Sequence, residues 1–199
     1  MRAPTAKPGR PQRLLRIIGG QWRGRKIHFP ALDIRPTPDR VRETLFNWLQ
    51  PRIQGARCLD LFAGSGALGL EALSRGAAEV VFVEQARAAS VAIQRVLQQW
   101  PAAGRASVLC MEAQRYLTGN APSPFDLVLL DPPYASGEIA AAARALERGW
   151  LASDARIYIE HARRESLPAL PASWHELRAG TAGAVGYHLY QSGQAGASA

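Results

Sequence analysis

From residue 57 onward the chain alternates short apolar runs with longer stretches whose apolar residues recur every three or four positions. The runs at 58–62, 80–83, 106–110, 125–130 and 156–160 are bounded by Gly, Pro or charged residues, and each predicts a buried strand. Between them, 67–75, 86–100, 113–117 and 137–150 carry helical spacing, with Gly76 and Pro101 closing the first two. Strands that alternate with helices predict an α/β fold, a mostly parallel sheet covered on both faces. Two further strand candidates, 174–178 and 185–191, have no helix between them and predict an antiparallel C-terminal hairpin, which brings the sheet to seven strands.

The N-terminal quarter reads differently. Residues 13–18 alternate basic and apolar positions and end at Gly19-Gly20, a strand followed by a turn. In 21–29 the cations Arg23, Arg25 and Lys26 interleave with Trp22, His28 and Phe29. Cations for phosphate beside aromatics for bases suit a nucleic-acid surface, and an amphipathic hairpin with one core face shows the same interleaving. A helix then opens at Thr37 as N-cap with Pro38 as its first residue and Asp39 in its first turn. Its apolar stripe is Val41, Leu45, Trp48 and Leu49, and Pro51 stops it.

At 199 residues and 47% hydrophobic content the chain suffices for one domain with a well-buried core. The expected division is a flexible basic tail at 1–13, one domain at 14–192 (a basic extension and helix to 52, an α/β core from 53) and a disordered tail at 193–199. No apolar run is long enough to span a bilayer and no secretory signal opens the chain, so a cytoplasmic protein is expected. Cys58 and Cys110 lie in apolar runs without ligand spacing and read as buried small hydrophobes, with no metal implied. The net charge of +8 is concentrated at one end, because residues 1–52 hold twelve Lys and Arg against three acids. A basic arm on a nearly neutral body points to a polyanionic partner. A solvated basic tail is the plainer reading of the same residues.

In a sheet of this kind ligands bind at the C-terminal strand edges, and acids stand at four of them: Asp60, Glu84, Glu112 and Asp131. Gly64, Gly66 and Gly69 match the letters of a dinucleotide loop. A pyrophosphate there would leave Asp60 as an unexplained acid beside an anion. A cationic sulfonium with an amino-acid group accounts for it: Asp60 takes the ammonium, directly or through water, while Gly64 and Gly66 pass beneath it, Glu84 takes the ribose, and Glu112 with the Ala113 backbone the adenine edge, which makes the expected cofactor S-adenosylmethionine. Phe62, Ala63, Ser65 and Gln85 flank these positions and complete the expected cofactor wall. Asp131 opens Asp131-Pro132-Pro133-Tyr134, where two prolines stop the strand and leave carbonyls free beside an aromatic ring. Alone this is equally a turn. After three strand-end acids it is a grip for an amino group facing a methyl donor.

The stretch D-L-F-A-G-S-G-A-L-G-L-E-A-L-S-R-G-A together with D-P-P-Y resembles Rossmann-like amino-methyltransferases. The N-terminal I-I-G-G-Q-W-R-G-R-K and R-P-T-P-D-R-V-R-E-T-L-F-N-W-L are similar to the bacterial RsmD family. The resemblance covers about residues 14 to 191, including the end strand V-G-Y-H-L-Y-Q. It implies methyl transfer to the exocyclic N2 of a guanine in 16S ribosomal RNA, with the small ribosomal subunit as partner and a monomeric enzyme. Asp131, Pro132, Pro133 and Tyr134 become the expected catalytic residues; Arg16, Trp22, Arg23, Arg25, Lys26, Arg35, Arg40 and Arg42 become the expected RNA contacts. Two positions depart from related enzymes: Glu84 is followed by Gln85-Ala86 rather than by a nearby Asp or Asn, and position 112 is Glu.

The rivals are an adenine or cytosine amino-methyltransferase, a protein glutamine methyltransferase, a noncatalytic RNA-binding module and an NAD oxidoreductase. The chain after Tyr134 is used up by a helix, a strand and a hairpin, leaving no separate target-recognition domain for DNA. Glutamine methylation more often pairs with Asn at the position of Asp131. Intact Asp131 and Tyr134 disfavour a noncatalytic module. The only His or Lys near the strand ends is His161, expected as an end residue of the fifth core strand rather than a hydride-transfer group.

Overall fold

The computed structural model describes residues 12–30, 37–102, 104–134 and 136–193. Two short strands, β1 (Gln12–Arg16) and β2 (Lys26–Pro30), pair antiparallel around a 3-10 turn at Gly20–Trp22. After α1 (Asp39–Leu49) the chain alternates β3 (Arg57–Asp60), α2 (Ala67–Ser74), β4 (Glu79–Val83), α3 (Arg87–Gln99), β5 (Ala106–Leu109), α4 (Ala113–Gly119), β6 (Phe125–Leu130), α5 (Glu138–Leu146) and β7 (Leu151–Ala162). It ends in β8 (Trp174–Ala182) and β9 (Val185–Ser192). The seven-stranded sheet has the order β5-β4-β3-β6-β7-β9-β8, parallel through β7 and antiparallel at β9 and β8.

Successive side chains of a strand point to opposite faces, and here both faces are buried. Cys58, Val80, Phe82, Leu127 and Leu129 face one core with α1, α2, α3 and the β1–β2 hairpin. Leu59, Val81, Val83, Val128 and Leu130 face the other with α4 and α5. The result is a three-layer sandwich whose strand ends form one edge.

Several sequence expectations shift. Pro38, not Thr37, is the N-cap of α1, and no side chain caps it. β1 takes in Gln12 and Arg13, which were assigned to the tail. β7 extends back to Leu151, where a connection between helix and strand was expected, with a register irregularity between Phe125 and Leu127 and a left-handed Asp154, φ 60°, along the added pairing; α5 ends at Leu146, short of the expected 150. Cys58 is buried as expected, whereas Cys110 is exposed just past the end of β5. No helix among the described residues is long and apolar enough to cross a membrane.

The hairpin is tied to α2 through a buried carboxylate. Glu71 accepts the backbone N–H groups of Ile18 (2.9 Å) and Gly19 (2.7 Å), pairs with Arg75 at 2.8 Å, and faces the Arg42 guanidinium at 3.6 Å. Arg42 is fully buried and also reaches Asp39 (2.6 Å) and the Arg16 carbonyl (2.9 Å). Ser74 adds a hydroxyl that donates to the Gly19 carbonyl and accepts from the Trp22 N–H. Removing one partner of a buried pair leaves the other charge desolvated. Glu71→Ala is expected to destabilise the protein by about 3–5 kcal/mol, read as a fall in the urea midpoint; a loss below 1 kcal/mol would show that the clamp is not structural.

Candidate functional site

The ends of β3, β4 and β6 open onto a cleft of about 490 Å³. Asp60, Phe62, Ala63, Gly64, Ser65, Glu84, Gln85, Ala113, Asp131, Pro132, Pro133 and Tyr134, all expected site residues, line it. So do Thr37, Leu61, Leu68, Val83, Met111 and Glu138, which sequence reasoning did not assign to it.

The loop after β3 is shaped by its glycines. Gly64 and Gly66 have φ of 53° and 77°, a left-handed conformation that other residues rarely adopt. Gly66 caps α2 and does not itself line the cleft. Gly69 lies inside α2, where a Cβ would stand 2.2 Å from the Phe82 ring and 3.0 Å from Asp60 Oδ2. Its role is therefore close packing of helix on strand, and it leaves its N–H free to donate to Asp60 Oδ2 at 2.9 Å. Glu84 braces the same loop: Oε2 accepts from Gly64 N–H at 2.7 Å and Oε1 from Ala86 N–H at 2.6 Å.

Glu112 is not brought into the cleft. It takes the N-cap position of α4 with an exposed side chain, and the wall at that strand end is Met111 and Ala113. An apolar surface thus stands where a polar contact to an adenine edge was expected. Leu61, Phe62, Val83 and Met111 can enclose a flat ring, with Glu84 beside them for hydroxyls and Asp60 for a positive charge. That donor set fits a nucleoside carrying an amino-acid group.

The two acids of the cleft are electrostatically unusual. Burial pushes Asp60 up to about 7, with the Gly69 N–H pulling it back and the Glu84 charge adding to the rise. Asp131 is held well above the usual carboxylate range by burial, then by the charges of Glu160 and Asp60. The Thr37 hydroxyl, which donates to Asp131 Oδ2 at 3.3 Å, works against that rise. The hydroxyl expected to cap α1 therefore serves the site instead. Tyr134 follows with 40% of its surface exposed.

The expected RNA contacts divide. Arg16, Arg23, Arg25, Lys26 and Arg40 are exposed. Trp22 is 1% exposed and packs on Trp100 with ring centroids 5.0 Å apart, so it is a core residue and not a stacking platform for bases. Arg42 is occupied by the Glu71 clamp and is likewise removed from the RNA surface. Arg35 lies outside the described residues.

Residues 15–191 match the family model described as "Conserved hypothetical protein 95". The chain is 49% identical over 179 residues to ribosomal RNA small subunit methyltransferase D of Escherichia coli, covering 89% of both chains. It is 42% identical to the Haemophilus influenzae protein of the same name, covering 89% of this chain and 94% of that one. It belongs to the ribosomal RNA small subunit methyltransferase D family. A solved chain from Escherichia coli superposes with a TM-score of 0.83 at 46% identity, over 90% of this chain and 98% of that one. A Thermus thermophilus 16S rRNA methyltransferase solved with AdoMet and guanosine shares the fold, with a TM-score of 0.62 at 23% identity, over 92% of this chain and 50% of that one.

A carboxyl group whose pKa rises on folding contributes stability that is full below its unfolded value and is lost as pH rises through its folded value. For Asp60 that window runs from about 4 to about 7. The ligand-free Asp60→Asn protein should therefore gain stability over the wild type as pH is raised from 5 to 8, measured by thermal melting at both values. An unchanged difference would contradict the buried-acid assignment.

Proposed function

We propose that this family member transfers a methyl group from S-adenosylmethionine to the exocyclic N2 of a guanine in 16S ribosomal RNA, within the small ribosomal subunit. The observation that carries the reading is the juxtaposition at one strand edge: Asp131 and an open Tyr134 stand on the same cleft as Asp60 and Glu84. The enzyme would act in the cytoplasm as a monomer, on ribosomal subunits.

When bound, S-adenosylmethionine supplies an electrophilic methyl group on a positively charged sulfur. Asp60 would hold its ammonium, Glu84 its ribose hydroxyls, and Leu61, Phe62, Val83 and Met111 its adenine. Tyr134 stacks on a guanine turned out of its RNA strand. Asp131 and the Pro132 carbonyl would each accept a hydrogen bond from one of the two N2–H groups. An arylamine lone pair is delocalised into its ring and is a poor nucleophile. Fixing both N–H bonds turns the lone pair toward the methyl group, and holding the atoms near attack distance lowers the barrier. As nitrogen gains its bond it becomes acidic; Asp131 stabilises the positive charge and receives the departing proton. Thr37 fixes the carboxylate for that task and favours its ionised form.

The exposed cations Arg16, Arg23, Arg25, Lys26 and Arg40 supply phosphate contacts along the N-terminal extension. Arg25 lies over the Trp100 ring at 5.5 Å, which orders its side chain at the surface.

Mass mapping of methylated nucleosides in 16S rRNA, from cells with and without the protein, tests the reading directly: one N2-methylguanine should vanish without it. Asp131→Ala should lower single-turnover methyl transfer by about 10²–10⁴-fold while S-adenosylmethionine binding by calorimetry stays near wild type. Retained turnover would overturn the role of Asp131. Replacing Arg23, Arg25 and Lys26 together by Ala should weaken RNA binding and reduce the slope of log affinity against log salt by about 2; an unchanged slope would place the phosphate contacts elsewhere.

A further inference from the structure

A second cavity of about 510 Å³ shares Pro132, Pro133 and Tyr134 with the first, and Glu160 lines it. Glu160 is 2% exposed. It is placed by register: Leu130, the last residue of β6, pairs with Ile159 of β7, and the next residue along each is an acid, Asp131 just past β6 and Glu160 within β7. Neighbouring strands run about 4.8 Å apart. Leu129 and Tyr158 belong to the same core, and side chains two residues on return to the same face. The two carboxylates therefore stand side by side on one face of the sheet edge. The Tyr158 hydroxyl, itself buried, donates to Glu160 Oε2 at 3.0 Å and fixes the rotamer.

Thr37 donates to Asp131 and Tyr158 to Glu160, and two acids held side by side in this way suit a ligand that presents two adjacent donors. The Watson–Crick edge of guanine presents two adjacent donors, N1–H and the N2 amino group. Adenine presents its amino group beside N1, an acceptor. The mechanism above engages the N2 group through Asp131 and the Pro132 carbonyl and leaves the neighbouring N1–H without a partner.

We propose that Glu160 accepts the guanine N1–H and is the residue that selects guanine over bases with an acceptor at that position. The inference rests on the guanine-N2 reading of the site and adds the basis of its specificity. Against a base whose N1 is a lone pair, the Glu160 carboxylate meets another acceptor. A site built to hydrogen-bond a substrate N–H discriminates strongly against an analogue lacking it.

The test compares small subunits reconstituted with 16S rRNA that carries, at the mapped nucleotide, either guanine or 2-aminopurine. The analogue keeps the 2-amino group and has an acceptor at N1. Wild-type enzyme should favour guanine by at least about 10²-fold in kcat/KM. Glu160→Gln, which can turn an N–H toward N1, should lower the guanine rate and raise the 2-aminopurine rate, so that the preference falls at least tenfold. Calorimetry with S-adenosylmethionine and thermal melting verify that the variant folds. If it does not fold, the wild-type ratio alone decides: equal rates on the two bases overturn the proposal. A variant that lowers both rates by the same factor overturns it too and leaves Glu160 a structural partner of Tyr158. If wild-type enzyme methylates no guanine N2 in the particle, it is the function reading that fails.

Discussion

The buried Glu71 carboxylate is the point at which the N-terminal extension becomes part of the enzyme. Burying an ion is unfavourable unless its lone pairs are filled, and here two backbone N–H groups and the Arg75 guanidinium fill them while the Arg42 guanidinium faces the acid as an ion pair at 3.6 Å. The partners come from three places: the turn after β1, helix α1 and the C-cap of α2. One acid therefore fixes the hairpin and α1 against α2, the helix that begins at the glycine loop of the cleft. The position of α1 decides where Thr37 lies, and Thr37 donates to Asp131. The chain of contacts runs from a packing device to the carboxylate proposed to handle the substrate amine.

The same arrangement separates two kinds of cation in and around the N-terminal extension. Arg42 and Arg75 are consumed inside the protein by Glu71, and Arg75 also lies over the Phe46 ring. Arg16, Arg23, Arg25, Lys26 and Arg40 remain at the surface. An excess charge counted along the chain overstates what a phosphate backbone can meet, because part of it serves folding.

Much of this was legible in the sequence where local pattern and tertiary role coincide. β6 matches its expected span, since a run buried on both faces and stopped by two prolines has few alternatives. Asp60, Glu84 and Asp131 were legible because strand ends on a parallel sheet converge. What was not legible depends on distant partners. Thr37 has the residue type and position of a helix cap, and only a residue 94 positions away explains why it is not one. Trp22 and Arg42 fit an RNA surface and a hairpin core equally well in composition; burial against Trp100 and Glu71 decides between them. Glu112 satisfied the strand-end rule, yet its N-cap position on α4 turns it to solvent. Glu160 lies at a strand end that the sequence also showed, but its significance needs the β6–β7 register, which no local pattern contains.

That register makes the acids of the site a set. Asp60 closes β3, Asp131 follows the last residue of β6 and Glu160 lies near the end of β7, all on one face, and the charges of Glu160 and Asp60 add to the burial that raises the pKa of Asp131. Like charges brought together out of water raise one another's proton affinity. A positively charged ligand beside Asp60 and amide-like donors beside Asp131 and Glu160 would relieve that repulsion in turn. On the proposed reading, binding of the first ligand would lower the electrostatic cost of ionising Asp131, the state that can accept a proton from the second. Burial of these acids opposes folding, and the Glu71 clamp on the same face of the sheet contributes stability against that cost.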